Sequence, residues 1–230
     1  MSSRLRVPRQ IRVGALAEAR PGARLRCAVL ASTGTEWVGV DLASGALVRN
    51  RAGGTVPSPD WHRPLQVAEV VLGTPEEAPD PTRPEAVELS EAGEPIGRLR
   101  RRRARRLLRR LAAPERPGSP LLGRWGPSIA FEDLDGSSPS LVVVALHGGF
   151  ELGRSPAGEA RCAIHWSAVR QELPLVDPLA AGAAERIGSM APAGRGVEAV
   201  LGFQPGFALV GLGAVRGGYA PKVVLSVLAR

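Results

Sequence analysis

Aromatic residues are scarce in this chain of 230 residues, with four Trp, four Phe and one Tyr. A core without them must rest on Val, Leu, Ile and Ala, and where Val and Ile cluster those residues favour sheet. Cysteine is scarcer still. Cys27 and Cys162 offer neither a metal-ligand spacing nor a disulfide framework, so they are expected to be small buried hydrophobes in a reducing compartment. No stretch approaches the ~20 apolar residues of a membrane span. The start, MSSRLRVPRQIRV, has charge but no apolar h-region behind it, so no secretory signal is expected. These absences lead us to expect a soluble, cytoplasmic protein. Its 44% hydrophobic residues suffice for one large domain or two small lobes.

Lysine is almost missing: Lys222 stands alone against 29 arginines, a skew that fits arginine codons chosen in a GC-rich genome. Nine of those arginines fall between Arg98 and Arg110 in GRLRRRRARRLLRRL. The formal net charge is +8, so the rest of the chain sums to 8 − 9 = −1. The protein is near neutral apart from one strongly positive element.

That element has helical periodicity. Ala104, Leu107, Leu108 and Leu111 fall at i, i+3, i+4 and i+7, with Ile96 placed on the same side, and the spacing predicts a helix over 96–113 ended by Pro114 and Pro117. At 100° per residue Arg102, Arg106 and Arg109 lie opposite the apolar stripe, while Arg103, Arg105 and Arg110 flank it. These six arginines are the candidate binding residues.

The fold class expected is mainly β, a β-rich α+β arrangement of two small lobes. Residues 1–73 read as the first lobe, with strands at Ala23–Leu30, Glu36–Val40 and Gln66–Leu72. Residues 74–95 read as an acidic, Pro-rich linker with five prolines and a net charge of −6. Such a block beside the arginine run could fold back and neutralise it. Residues 120–230 read as the second lobe. Its strands are expected at Ser140–His147, Glu159–Trp166, Glu172–Val176, Gly196–Phe203, Phe207–Ala214 and Lys222–Leu228, with a short helix at Pro178–Ile187. Three blocks recur in order between the lobes. Arg26–Val29 matches Arg161–Ile164, Asp41–Ala46 matches Asp177–Ala183, and Val70–Gly73 matches Ala199–Gly202. They fit either a weak internal duplication or chance in a chain rich in Ala, Val and Gly.

The chemical motifs are incomplete. Leu141–Gly153, LVVVALHGGFELG, resembles the strand and His-Gly-Gly turn that supplies oxyanion donors in α/β-hydrolase esterases. The resemblance ends there: no G-x-S-x-G elbow follows, and Ser189 lacks the second glycine. Glu132-Asp133-Leu134-Asp135-Gly136 gathers three carboxylates but lacks the distal ligands of a calcium loop, and reads as an acidic turn. No H-x-H, H-E-x-x-H or C-x-x-C spacing occurs, and Gly211–Gly218 completes neither a P-loop nor G-x-G-x-x-G, so no cofactor or metal is expected. Cys162 and His165, three apart on a strand, fall on opposite faces and cannot pair within it.

The function expected is a non-enzymatic binding or assembly module whose cationic helix meets an acidic protein partner. The alternative is sequence-nonspecific nucleic-acid binding, and a solvated or neutralised helix competes with both. An anionic membrane surface fits less well, because the apolar stripe carries no Trp or Phe. From another class comes an enzyme with a His-based site at Asp60, His62, His147 or His165.

Overall fold

In the computed structural model the described residues are 20–50, 63–75, 80, 82–115, 121–124, 126–134, 136, 138–147, 149–167 and 169–230, with only the backbone of Ala92 and Glu94. Asp60, His62, Asp135 and the N-terminal arginines lie outside them. The chain divides into two compact units, Met1–Leu111 and Ala112–Arg230. The protein is β-rich α+β, as its composition predicts. Among the described residues no helix is long and apolar enough to cross a membrane.

In the first unit the strands are β1 (Arg24–Ser32), β2 (Trp37–Asp41), β3 (Leu47–Asn50), β4 (Gln66–Leu72), β5 (Ala86–Val87) and β6 (Leu89–Arg98), followed by helix α1 (Arg101–Leu111). They form one sheet in the order β5-β3-β2-β1-β4-β6, antiparallel except where β5 joins β3. Cys27 and Val29 of β1, Trp37 of β2, Val48 of β3, and Ala68 and Val70 of β4 pack into one core cluster. The turn between β2 and β3 is built by Asp41, which accepts hydrogen bonds from the Ala43 and Ser44 amides and the Ser44 hydroxyl, while Gly45 takes φ 82°.

The second unit holds two antiparallel four-stranded sheets. Its strands are β7 (Ser128–Ala130), β8 (Leu141–Ala145), β9 (Phe150–Arg154), β10 (Ala160–Trp166), β11 (Val169–Pro174), β12 (Ala191–Pro192), β13 (Pro205–Leu212) and β14 (Tyr219–Ala229). Their orders are β11-β10-β9-β12 and β7-β14-β13-β8. Helices α2 (Pro178–Ile187) and α3 (Arg195–Leu201) join the core between them, against Cys162, Ile164, Trp166, Val210 and Val224. Asp177 starts α2 by accepting from the Leu179 and Ala180 amides, with Pro178 in the first turn where a missing N–H costs nothing.

Several expectations are corrected. Most of the 74–95 linker belongs to the first unit: β5 and β6 complete its sheet, and β6 runs along β4 through three register shifts. An edge strand tolerates the Pro95 that argues against a central one. A Cβ at Gly93 would come within 2.5 Å of the Glu69 carbonyl oxygen, so glycine is needed where the two backbones meet. Helix α1 therefore starts at Arg101 rather than 96, and Ile96 lies on β6 with 55% of its surface exposed, not on the apolar stripe. Gly196–Phe203 is not a strand. Val197 and Leu201, four apart and buried, form the inner face of α3, which Gly202 closes in the left-handed conformation.

The internal duplication is not carried through either. Its first block lies on central strands in both units, but the second sets a β-turn against a helix cap, and the third sets a strand end against a helix end.

Candidate functional site

Helix α1 forms against its own charges. No acidic residue lies in its first turn, so the positive N-terminal end of the helix dipole goes uncompensated, and arginines three and four apart repel. What holds it is burial: Ala104, Leu107 and Leu108 are buried. Before it, the Leu99 amide donates to the Leu65 carbonyl at 2.9 Å and fastens the helix start to the sheet. Arg101, Arg102, Arg106, Arg109 and Arg110 are consequently exposed, and Arg103 and Arg105 half-buried.

Arg103 and Arg110 have partners of their own. Among the described residues, the side chains of Arg102, Arg105, Arg106 and Arg109 make no hydrogen bond or ion pair. Two of the acids expected to neutralise the run, Asp80 and Glu85, are placed elsewhere. Asp80 accepts from the Thr82 amide and hydroxyl, and Glu85 is buried at the edge of the sheet. Arg102 and Arg109 are seven positions apart, about 10 Å along the axis.

The histidines are not brought to one catalytic arrangement among the described residues. His147 is exposed after β8. His165 lies on the outer face of β10, its Nε2 3.4 Å from Glu151 Oε1. Cys162 is on the opposite, core face, where burial, with Asp177 and Glu172 nearby, drives its thiol far above the ordinary range. A thiol held protonated in this way is not a nucleophile. Of the acidic turn, Asp133 faces Arg124 at 4.0 Å, and no group of three His, Cys, Asp or Glu converges among the described residues.

Sequence reasoning missed a charged network on this outer face. Arg170 donates to both Glu151 oxygens, at 3.0 and 2.7 Å, and to Glu172 at 3.1 Å. The Glu151 carboxyl is held down to about 2, first by Arg170 and then by His165. Beside the network lies a cavity of about 560 Å³ between β11 and a wall that includes Leu122, Arg124 and Pro127. Gln171 bridges its walls, donating to the Leu122 carbonyl at 2.9 Å. Among the described residues its Oε1 and the Trp166 Nε1 have no partner, and both are sealed from solvent, so neither reaches a ligand.

Comparison with protein-family models, with curated proteins and with solved structures finds no match.

Proposed function

We propose that this protein is a non-enzymatic binding module whose helix α1 meets an acidic protein partner. One observation carries the reading: the apolar stripe is buried, which leaves Arg102, Arg105, Arg106 and Arg109 without internal partners among the described residues. Guanidinium forks presented on successive turns suit carboxylates bidentately. The same forks suit phosphates, so nucleic acid is the second reading. Between Ile96 and Leu111 there is no aromatic side chain for base stacking, which favours the acidic protein over a single strand. A cytoplasmic location goes with this reading and is supported by two free, buried cysteines.

The test is a fluorescence-anisotropy titration with polyglutamate and with single- and double-stranded nucleic acid across a salt series. It compares the protein with its Arg102→Gln/Arg106→Gln/Arg109→Gln variant. Polyglutamate binding that is lost in the variant supports the acidic partner. Tighter nucleic-acid binding, with a log–log salt slope of about −3 to −4 for four neutralised phosphates, would hand the helix to nucleic acid. No binding of any probe at low salt would overturn both.

A further inference from the structure

Strand β11 is an open sheet edge facing a groove. In the second unit the other edges are short or covered. Strand β7 has three residues and β12 two. Strand β8 is covered by Ala112, which bridges Val143, and by the Ala113 amide donating to the Val143 carbonyl at 2.9 Å. Natural edges are protected in just these ways against pairing with foreign strands. Strand β11 has six residues; just beyond it Leu175 bridges Val224 and the Val176 amide donates to the Val224 carbonyl, so among the described residues the edge is uncovered only ahead of that point, over Val169–Glu172.

The register fixes which of its backbone groups are free. The Leu175 amide donates to the carbonyl of Ala160 directly opposite, which makes that pair a hydrogen-bonded one. Alternation then gives bonded pairs at Cys162–Leu173 and Ile164–Gln171, and non-bonded pairs at Ala163–Glu172 and His165–Arg170. The N–H and C=O of Arg170 and Glu172 therefore point away from β10, and among the described residues nothing pairs with them. Pro174 occupies the same outward register, where a lost N–H disturbs no ladder.

The cavity of about 560 Å³ runs along this edge, lined by Val169–Leu173 on one side and by residues including Leu122, Arg124 and Pro127 on the other. Val169 is 38% exposed. Arg124 is 39% exposed in its side chain; its Nη1 donates to the Asp133 carbonyl at 3.2 Å, and among the described residues its nearest carboxylate oxygen, Asp133 Oδ2, is 4.0 Å away. The geometry points to β11 as a strand-addition site for an extended peptide of another protein. Its backbone pairs with Arg170 and Glu172, its inward side chains are apolar against Val169, and it carries a carboxylate opposite Arg124. This site stands on different residues from helix α1, so it survives or fails independently of the reading above.

A random octapeptide library displayed on phage, selected against the full chain and followed by synthesis of the enriched peptides, supplies the probe. The expected peptides alternate apolar residues with an acidic one. Binding should slow amide exchange at Arg170 and Glu172, which are fast in the free protein, and leave the already slow Gln171 and Leu173 unchanged. Glu172→Pro, which removes one outward N–H, should weaken binding about tenfold or more, whereas Glu172→Ala should retain it. Three results overturn the proposal: no enrichment, equal binding by Glu172→Pro and Glu172→Ala, or concentration-dependent protection of Arg170 and Glu172 without peptide. The last would show that a second copy occupies the edge.

Discussion

The Nζ of Lys222 donates to the carbonyl oxygens of Arg124 and Gly126 at 2.6 and 2.8 Å, so the one lysine of the chain clamps a loop almost a hundred residues away. Lys222 is fully buried. Burial, reinforced by the positive charge of Arg124, brings its ammonium down to about 8. An unfolded lysine keeps its proton to about 10.4. Between those values the unfolded chain binds more protons than the folded one, so stability should rise as pH increases from about 8 to about 10. Below pH 8 both states are protonated and this contribution is flat. Lysine-selective carbon labelling gives a single resonance, which should titrate near 8. Lys222→Met should flatten the alkaline rise in a denaturant series.

Glu151 sets the acid side. Its carboxyl lies below the unfolded value of about 4.3, so its contribution is complete above that pH and is lost as pH falls toward 2. Arg170 is 40% exposed in its side chain, and solvent screens the pair. Glu151→Gln should therefore cost less than about 1 kcal/mol at pH 7. It should also flatten the acid limb of unfolding between pH 4.5 and 2. A limb unchanged by Glu151→Gln would place the titrating carboxylates elsewhere.

What could be read from the sequence was whatever local chemistry decides. Gln66–Leu72 is a β-branched run with turns at its ends, and it is strand β4 with those same bounds. The short helix expected at Pro178–Ile187 is α2 with those same bounds. The outward arginines of α1 followed from a 100° step. Where long-range pairing decides, local reading failed. Strand β6 looks like a linker by composition and is a strand because β4 needs a partner on that side. In α3, valines suggested sheet, while the burial of Val197 and Leu201 at helical spacing prevailed. The Glu151 network joins residues 14 and 19 apart through strand register, which no spacing announces.

Glu36 and Arg49 form an ion pair in the first unit, with the arginine side chain wholly buried. Arg83, half-buried beside them, is lowered by its own burial and by the charge of Arg49. Glu36→Ala would take a carboxylate away from a buried guanidinium that faces a second cation. The expected loss is about 3–5 kcal/mol, seen as a shifted midpoint at constant denaturant slope. Replacing both partners, Glu36→Leu with Arg49→Met, should recover most of it, because the desolvation cost disappears with the charges. A double variant as unstable as Glu36→Ala would contradict this.

Asp177 does two jobs with one carboxylate. Its Oδ1 accepts from Leu179 and Ala180 at the start of α2, and its Oδ2 accepts from the Val227 amide of β14 at 2.8 Å. The cap alone is worth about 1 kcal/mol. Leaving the buried Val227 N–H unpaired adds about 1–3 kcal/mol. Asp177→Ala should therefore cost about 2–4 kcal/mol, more than an ordinary cap. Asp177→Ser separates the two roles, since a single hydroxyl oxygen can cap the helix but cannot also reach β14. It should recover only the cap share in chemical denaturation, and the Val227 amide should exchange as fast as in Asp177→Ala. If Asp177→Ser instead restored protection at Val227, the tie between α2 and β14 would not depend on the second oxygen.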